Sequence, residues 1–520
     1  MNNDVTDEPA RKFYITTAID YPNGEPHIGH SLEKVSADVI ARYHRLLGDE
    51  TFFSMGVDEN SQHVIKAAQA HGVDNITWVN RMDEAFHRAW NALDISNDYW
   101  IRTTEERHVR ASQEMFRRAQ QQGDVYKAMY SGWYCPNDNT FYTADELVNG
   151  RCPNHPSIVP DWLEEENYFF ALSKYSDRLL AHIQAHPEFI VPANRRAEVL
   201  GLIRQGLRDF AVSRLVRPGM PQWGVPVPGD EQQVIYVWFD ALTNYLTAVG
   251  FPDDVPAFAH YWPADAHVIG KDITRFHCLY WPAMLLSAGL PLPRQVAVHG
   301  FITLEGQRIS KTAGNTIDPV ELVTEFGVDA VRYNLLRNLS FESDGDFSRT
   351  SLLRHYNDEL ANDLGNLLNR DVSMIKRYRN GIIPATGPLN PDDTGLQQVA
   401  AETLTRAAAA LNAWEIGNAL SIIWNFVRKT NQYIEVREPW RVAKRPEQQD
   451  ELDTILYSIA EAMRLIAVYL APFLPSTSNR ILDQLSLGPV EHAAWVRKGT
   501  WGSQTLTSVA PGRLLFPRIL

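Results

Sequence analysis

The stretch KFYITTAIDYPNGEPHIGH, residues 12–30, runs from an apolar segment through a Pro- and Gly-containing turn into two histidines flanking Ile28-Gly29. Lys12 to Ala18 read as a buried strand. From Gly29 to Leu47 the apolar positions Leu32, Val35, Val39, Ile40, Tyr43, Leu46 and Leu47 recur at helical spacing. DETFFSMGVDE, residues 49–59, returns to strand character, so the three segments form a βαβ unit and predict a parallel sheet with flanking helices. A strand that enters a helix through such a turn leaves free backbone N–H groups and the positive helix end facing outward, a ready site for phosphate. His27 and His30 sit at that first turn, and Gly29 lets an adenine lie close to the backbone. Taken alone, a histidine pair at a helix start also reads as capping or surface histidines.

Working outward, AHVIG (266–270) as strand, FHCLYWPAMLLSAG (276–289) as helix ended by Gly289, and RQVAVHGF (294–301) as strand repeat the pattern far downstream. The predicted fold is therefore α/β: a split Rossmann-like nucleotide-binding domain whose halves, 1–114 and 232–320, flank an inserted connective domain, 115–231. Residues 321–355 form a linker. From 356 to 520 long segments such as ELANDLGNLLNRDVSMIKRY and DELDTILYSIAEAMRLIAVYLAPFL carry apolar residues at i, i+3, i+4 and i+7, which predicts an α-helical bundle.

A chain of 520 residues exceeds one core, and the length prior of roughly 100–200 residues per domain agrees with this division. Three cysteines cannot build a disulfide framework, and neither a signal peptide nor an apolar run of the ~18 residues needed for a membrane span is seen. A cytoplasmic protein with no membrane partner is expected. The net charge of −14 opposes sequence-blind coating of nucleic acid and leaves room for a local basic patch, so no DNA partner is expected.

EGQRISKTAGN, residues 305–315, places Arg308, Ser310 and Lys311 in a short cationic loop that can close on a triphosphate and stabilise charge on a leaving pyrophosphate; alone, it reads equally as a solvated basic loop. Together, HIGH at 27–30 and RISKT at 308–312 resemble the paired HIGH and KMSKS signatures of class I aminoacyl-tRNA synthetases. ITTAIDYPNGEPHIGH, VIYVWFDALTNYLTAVGF, HVIGKDITRFHCLYWPAML, HGFITLEGQRISK, GVDAVRYNLLRNLSFESDGDFS, NDLGNLLNR and REPWRVAK extend the resemblance, nearly throughout the chain, to the methionyl-tRNA synthetase family.

That resemblance implies ATP with Mg2+, methionine and tRNA(Met) as substrates, with His27, His30 and Lys311 as catalytic residues. It implies ATP contacts from His27, Gly29, His30, Gly270, Asp272, Arg308, Ser310 and Lys311. An unbranched thioether suits a pliable slot of aromatic and aliphatic side chains, and by resemblance Ala18, Ile19, Tyr21, Trp238, Ala241, Leu242, Tyr245 and His277 line it, with Asp58 on the ammonium. Without the resemblance, Trp238 and Tyr245 read as core aromatics of their helix. Asn366, Arg370 and Trp440 match the family residues that meet the anticodon. The chain departs from the family at Asp20, at Asn60 and Ser61 in DENS, and at Arg308–Thr312, which motivates one alternative, a paralogue that activates another amino acid or serves a small-molecule pathway; a second, a non-catalytic tRNA-binding paralogue, has the intact His27, His30, Lys311 and Trp440 against it.

In the insertion, CPND (135–138) and CPNH (152–155) are two Cys-x2-ligand pairs separated by 13 residues, the spacing of a tetrahedral zinc knuckle. Cys135, Asp138, Cys152 and His155 are its candidate ligands. Asp138 stands where relatives carry a second sulfur, and a hard carboxylate weakens a thiolate-rich site, so a metal-free knuckle held by packing stays open beside zinc. A monomer is expected, because no further C-terminal dimerisation domain follows LLFPRIL.

Overall fold

The structure, a computed structural model, describes residues 10–135, 140–153, 155–216, 222–309, 316–338 and 341–519. Six parallel strands make the central sheet: β1 (Lys12–Thr17), β2 (Glu50–Val57), β3 (Tyr99–Arg102), β4 (Ile190–Val191), β5 (Ala266–Gly270) and β6 (Val296–His299), in the order β3-β2-β1-β5-β6-β4. The order runs outward in both directions from β1 and β5, so the two expected halves meet there. In open α/β sheets, ligands bind outside the carboxyl ends of the strands at such a switch point.

Helix α1 (Ile28–Leu47) matches its sequence signal closely, since its apolar stripe is long and Gly48, at φ 96°, ends it in the left-handed region. Leu32, Val35, Val39, Ile40, Tyr43 and Leu46 are buried along it. The downstream helical signal at 276–289 is realised differently: Phe276–Tyr280 forms a wide π turn before the α-helix Trp281–Ser287. Pro282 has no N–H to donate to the carbonyl of Cys278, which favours widening of the helix at that point.

The inserted segment is built on a long antiparallel hairpin, Val125–Cys135 against Asp161–Phe170, in register from Val125 opposite Phe170 to Tyr134 opposite Asp161. It returns to the central sheet as β4, paired with β6. Its aromatics pack into a second apolar core against the central sheet, with Phe239 5.8 Å from Phe116 and 6.5 Å from Phe170 between ring centroids.

Helices Asn366–Arg379, Pro391–Asn412, Ile416–Arg437 and Gln449–Leu470 make the C-terminal bundle. One continuous apolar core runs from β1 and α1 through these helices to Phe516. Arg332, fully buried, pairs with Asp38 of α1 at 2.7 Å and donates to the carbonyls of Leu93, Pro472 and Phe473 at 2.9–3.2 Å. Among the described residues no helix is long and apolar enough to cross a membrane.

Candidate active site

A cavity of about 290 Å³ opens at the β1/β5 switch point. Ala18, Ile19, Tyr21, Asp58, Trp238, Ala241, Leu242, Tyr245 and His277, the residues expected to hold the amino acid, all line it, as do Gly29, His30, Gly270 and Asp272. Asp20, Asn23, Glu33, Asn244, Ile273, His299 and Phe301 also line it, and the sequence had not singled them out as site residues. Asp20 and the pair Asn23 and Asn244 lie beside motif residues; His299 and Phe301 precede the RISKT loop, and that proximity was the one available signal.

The slot is rigid on its aromatic side. The Trp238 ring stacks on Phe276 at 3.7 Å and meets Tyr21 edge-on at 6.1 Å. Tyr245 and His277 join through a 2.7 Å hydrogen bond between Oη and Nε2, and His277 Nδ1 lies 3.1 Å from the Ile273 carbonyl. Because a carbonyl only accepts, Nδ1 carries the proton and the Tyr245 hydroxyl donates to Nε2. Burial pulls His277 down to about 4, which keeps this imidazole neutral.

Asp58 is the opposite kind of group. It is buried, and desolvation together with the charge of Asp240 holds its carboxyl well above the usual range, although the Asn60 backbone N–H offsets part of this. Among the described residues its buried Oδ1 has no hydrogen-bond partner. Asn60, the first residue in DENS that departs from the family pattern, donates its side-chain amide to Asp240 at 2.7 Å and to the Thr103 carbonyl at 3.0 Å. A carboxylate so placed gains most from a cationic ligand, since an unsatisfied buried acceptor costs ~1–3 kcal/mol.

The histidine pair caps α1. Gly29 N–H donates to His27 Nδ1 at 3.1 Å and His27 N–H donates to His30 Nδ1 at 3.2 Å, a reciprocal capping box with the rings 4.0 Å apart. With each Nδ1 accepting from the backbone, each neutral ring carries its proton on Nε2. A Cβ at Gly29 would approach the His27 ring to 2.8 Å, so the glycine is required for the capping geometry. His27 itself does not line the cavity.

Residues Ile302–Leu304 and Gln307–Arg308 form the hairpin that leads into the cationic loop, with Glu305 and Gly306 at positive φ in its turn. Ser310, Lys311 and the Arg308 side chain lie outside the described residues, as does Asp138. In the insertion, the donor atoms of Cys135, Cys152 and His155 lie within 4.8 Å of one another, and the Cys152 Sγ to His155 Nδ1 distance is 3.7 Å. Two thiols and an imidazole at this separation fit a zinc ion. In the bundle, the Arg370 guanidinium stands 6.0 Å from the Trp440 ring centroid, Trp440 is half-buried, and Asn366 is exposed one helical turn before Arg370.

Comparison with known proteins adds to this geometry. The family model described as tRNA synthetases class I (M) matches residues 13–158 and 156–372, and that of the anticodon binding domain of methionyl tRNA ligase matches 383–517. A methionine–tRNA ligase of Caldanaerobacter subterraneus subsp. tengcongensis is 42% identical over 510 residues, 98% of this chain and 79% of the relative. One from Brucella suis is 42% identical, with 92% of each chain covered. Mycobacterium tuberculosis methionyl-tRNA synthetase in complex with methionyl-adenylate superposes with a TM-score of 0.92 at 41% identity, covering 98% of this chain and 100% of the other; its free form gives 0.87 at 39% identity, covering 99% of each.

Proposed function

The chain belongs to the methionyl-tRNA synthetases, class I aminoacyl-tRNA ligases, and from that premise we infer which residues carry the reaction. The enzyme activates methionine with ATP to methionyl-adenylate and pyrophosphate, then transfers methionine to tRNA(Met). The single observation that carries the residue assignment is the cavity at the switch point, where a buried carboxylate with an open oxygen faces a slot of aromatic rings.

In this reading Asp58 receives the ammonium and Tyr21, Trp238, Tyr245 and His277 enclose the thioether, while Ala18, Ile19, Ala241 and Leu242 complete the slot. The methionine carboxylate attacks the α-phosphorus of ATP, forming the O–P bond as the bond to pyrophosphate breaks. Nε2–H donors of His27 and His30, the N-terminus of α1, and Arg308, Ser310 and Lys311 take up the charge that develops on the phosphates. Mg2+ accompanies ATP as part of the substrate. Gly270 and Asp272 hold the ribose, the carboxylate accepting from its hydroxyls.

The proposed division of labour follows the boundaries 1–114 and 232–320 for activation, 115–231 for the knuckle, 321–355 for the stem contact and 356–520 for the anticodon. Zinc on Cys135, Cys152 and His155, with Asp138 as the fourth ligand, stiffens the tip of the insertion. Asn366, Arg370 and Trp440 form the anticodon patch, because stacking and splayed-base hydrogen bonds are how single-stranded RNA is read. The protein acts as a cytoplasmic monomer. Pyrophosphate exchange with a panel of amino acids tests the substrate assignment: methionine should support it, and clear exchange with another amino acid in the absence of any with methionine would overturn it.

A further inference from the structure

We propose that Lys34 is a positioning residue for methionine activation, its buried ammonium fixing the slot wall at Ala18–Asp20 against helix α1. The side chain is 1% exposed, and its Nζ lies 2.6 Å from the Ala18 carbonyl, 2.6 Å from Glu33 Oε1 and 3.2 Å from Asp20 Oδ1. These three acceptors belong to the two walls of the cavity. Asp20 donates its N–H to Gly56 at 2.9 Å and accepts the N–H of Asp58 at 2.8 Å, so the segment held by Lys34 carries the strand end that bears Asp58. On the other side, Glu33 Oε2 is 3.4 Å from His299 Nε2, on the lip that leads to the RISKT hairpin.

The charges explain why the geometry is narrow. A buried ammonium is tolerated only when it is paired and hydrogen-bonded, and here one cation serves two carboxylates. Glu33 has the shorter contact, and its carboxyl is held below the usual range by Lys34 and His299 despite burial. Burial pushes the more distant Asp20 up to about 7, with Lys34 offsetting part of that rise. Moving the Ala18–Asp20 wall away from α1 would break its contacts to Lys34 and strand Asp20, while Glu33, on α1 beside Lys34, would keep its partner. Lys34 touches neither substrate in this arrangement; it acts through the position of Ala18 and Asp58.

The proposal rests on the assignment of the cavity to methionine, which wild-type exchange tests separately: a wild-type enzyme inactive with methionine would fault that assignment, not the role of Lys34. Two variants then isolate the role, K34M and K34M/D20N, with the KM for methionine, the KM for ATP and the melting temperature measured on each. K34M should raise the methionine KM about tenfold or more, since sub-ångström misplacement of binding groups is costly, and change the ATP KM by less than about threefold. The double variant removes the stranded Asp20 charge and leaves Glu33 with His299 as its remaining partner, so its melting temperature should recover in part while its methionine KM stays high. A methionine KM that returns to the wild-type value with the melting temperature, an unchanged KM in K34M, or equal rises for methionine and ATP would each show a purely structural lysine. If K34M does not fold, the double variant decides by its methionine KM alone.

Discussion

In the proposed reading, Asp58 concentrates the chemistry of the amino-acid end in one carboxylate. Its buried Oδ1 lacks a partner among the described residues, and charge-assisted hydrogen bonds are worth ~1.5–3 kcal/mol. Asp58→Asn should therefore raise the methionine KM about 10- to 100-fold with little change in the ATP KM, as measured by pyrophosphate exchange; an unchanged methionine KM would remove Asp58 from the site. How much of this was legible in the sequence differs from residue to residue. Trp238 and Tyr245 were readable as slot residues only through family resemblance, because aromatic side chains on a helix are ordinarily core and only a tertiary cavity distinguishes the two. Glu33 and Lys34 look like an exposed charged pair on α1, and nothing in the linear pattern shows that both are buried. Asn60 stood out only as a departure, while its partner Asp240 lies 180 residues away.

Elements were legible in proportion to their length. Helix α1 carries about five turns of regular apolar spacing, enough to place it to within a residue; strand β4, two residues long, shows no periodicity and left the insertion looking like a separate body. The knuckle was readable from its Cys-x2 spacing, although the closeness of its donors depends on the hairpin Val125–Cys135 and the turn before Ile158. If zinc holds these donors, elemental analysis of protein purified without chelator should give about one zinc per chain, and Cys135→Ser or Cys152→Ser should lose it and melt earlier. Metal-free protein with full activity would instead support a knuckle held by packing.

At the scale of the whole molecule, the proposed activation site lies between two apolar cores, one of which continues into the anticodon bundle. Trp440 is half-buried beside that core and lies under Arg370. Trp440→Ala should cost about 1–3 kcal/mol in aminoacylation through lost base stacking, with pyrophosphate exchange intact. Equal loss of both reactions, with a large fall in melting temperature, would make it a packing residue. Arg332 has a wider reach. Its guanidinium joins α1, the end of the helix before Asp94 and the Pro472-Phe473 turn of the bundle through a buried ion pair and three backbone carbonyls. Removing one partner of such a pair costs ~3–5 kcal/mol, so the joint resists hinging. On the proposed assignment, this joint ties the helix that begins at the cavity to the anticodon bundle as the hinge of a calliper ties its jaws. If the proposed cleft and anticodon patch are the working sites, a tRNA(Met) lengthened by one base pair between acceptor end and anticodon should be charged more slowly than the normal length, and equal charging rates for the two would show that the joint yields.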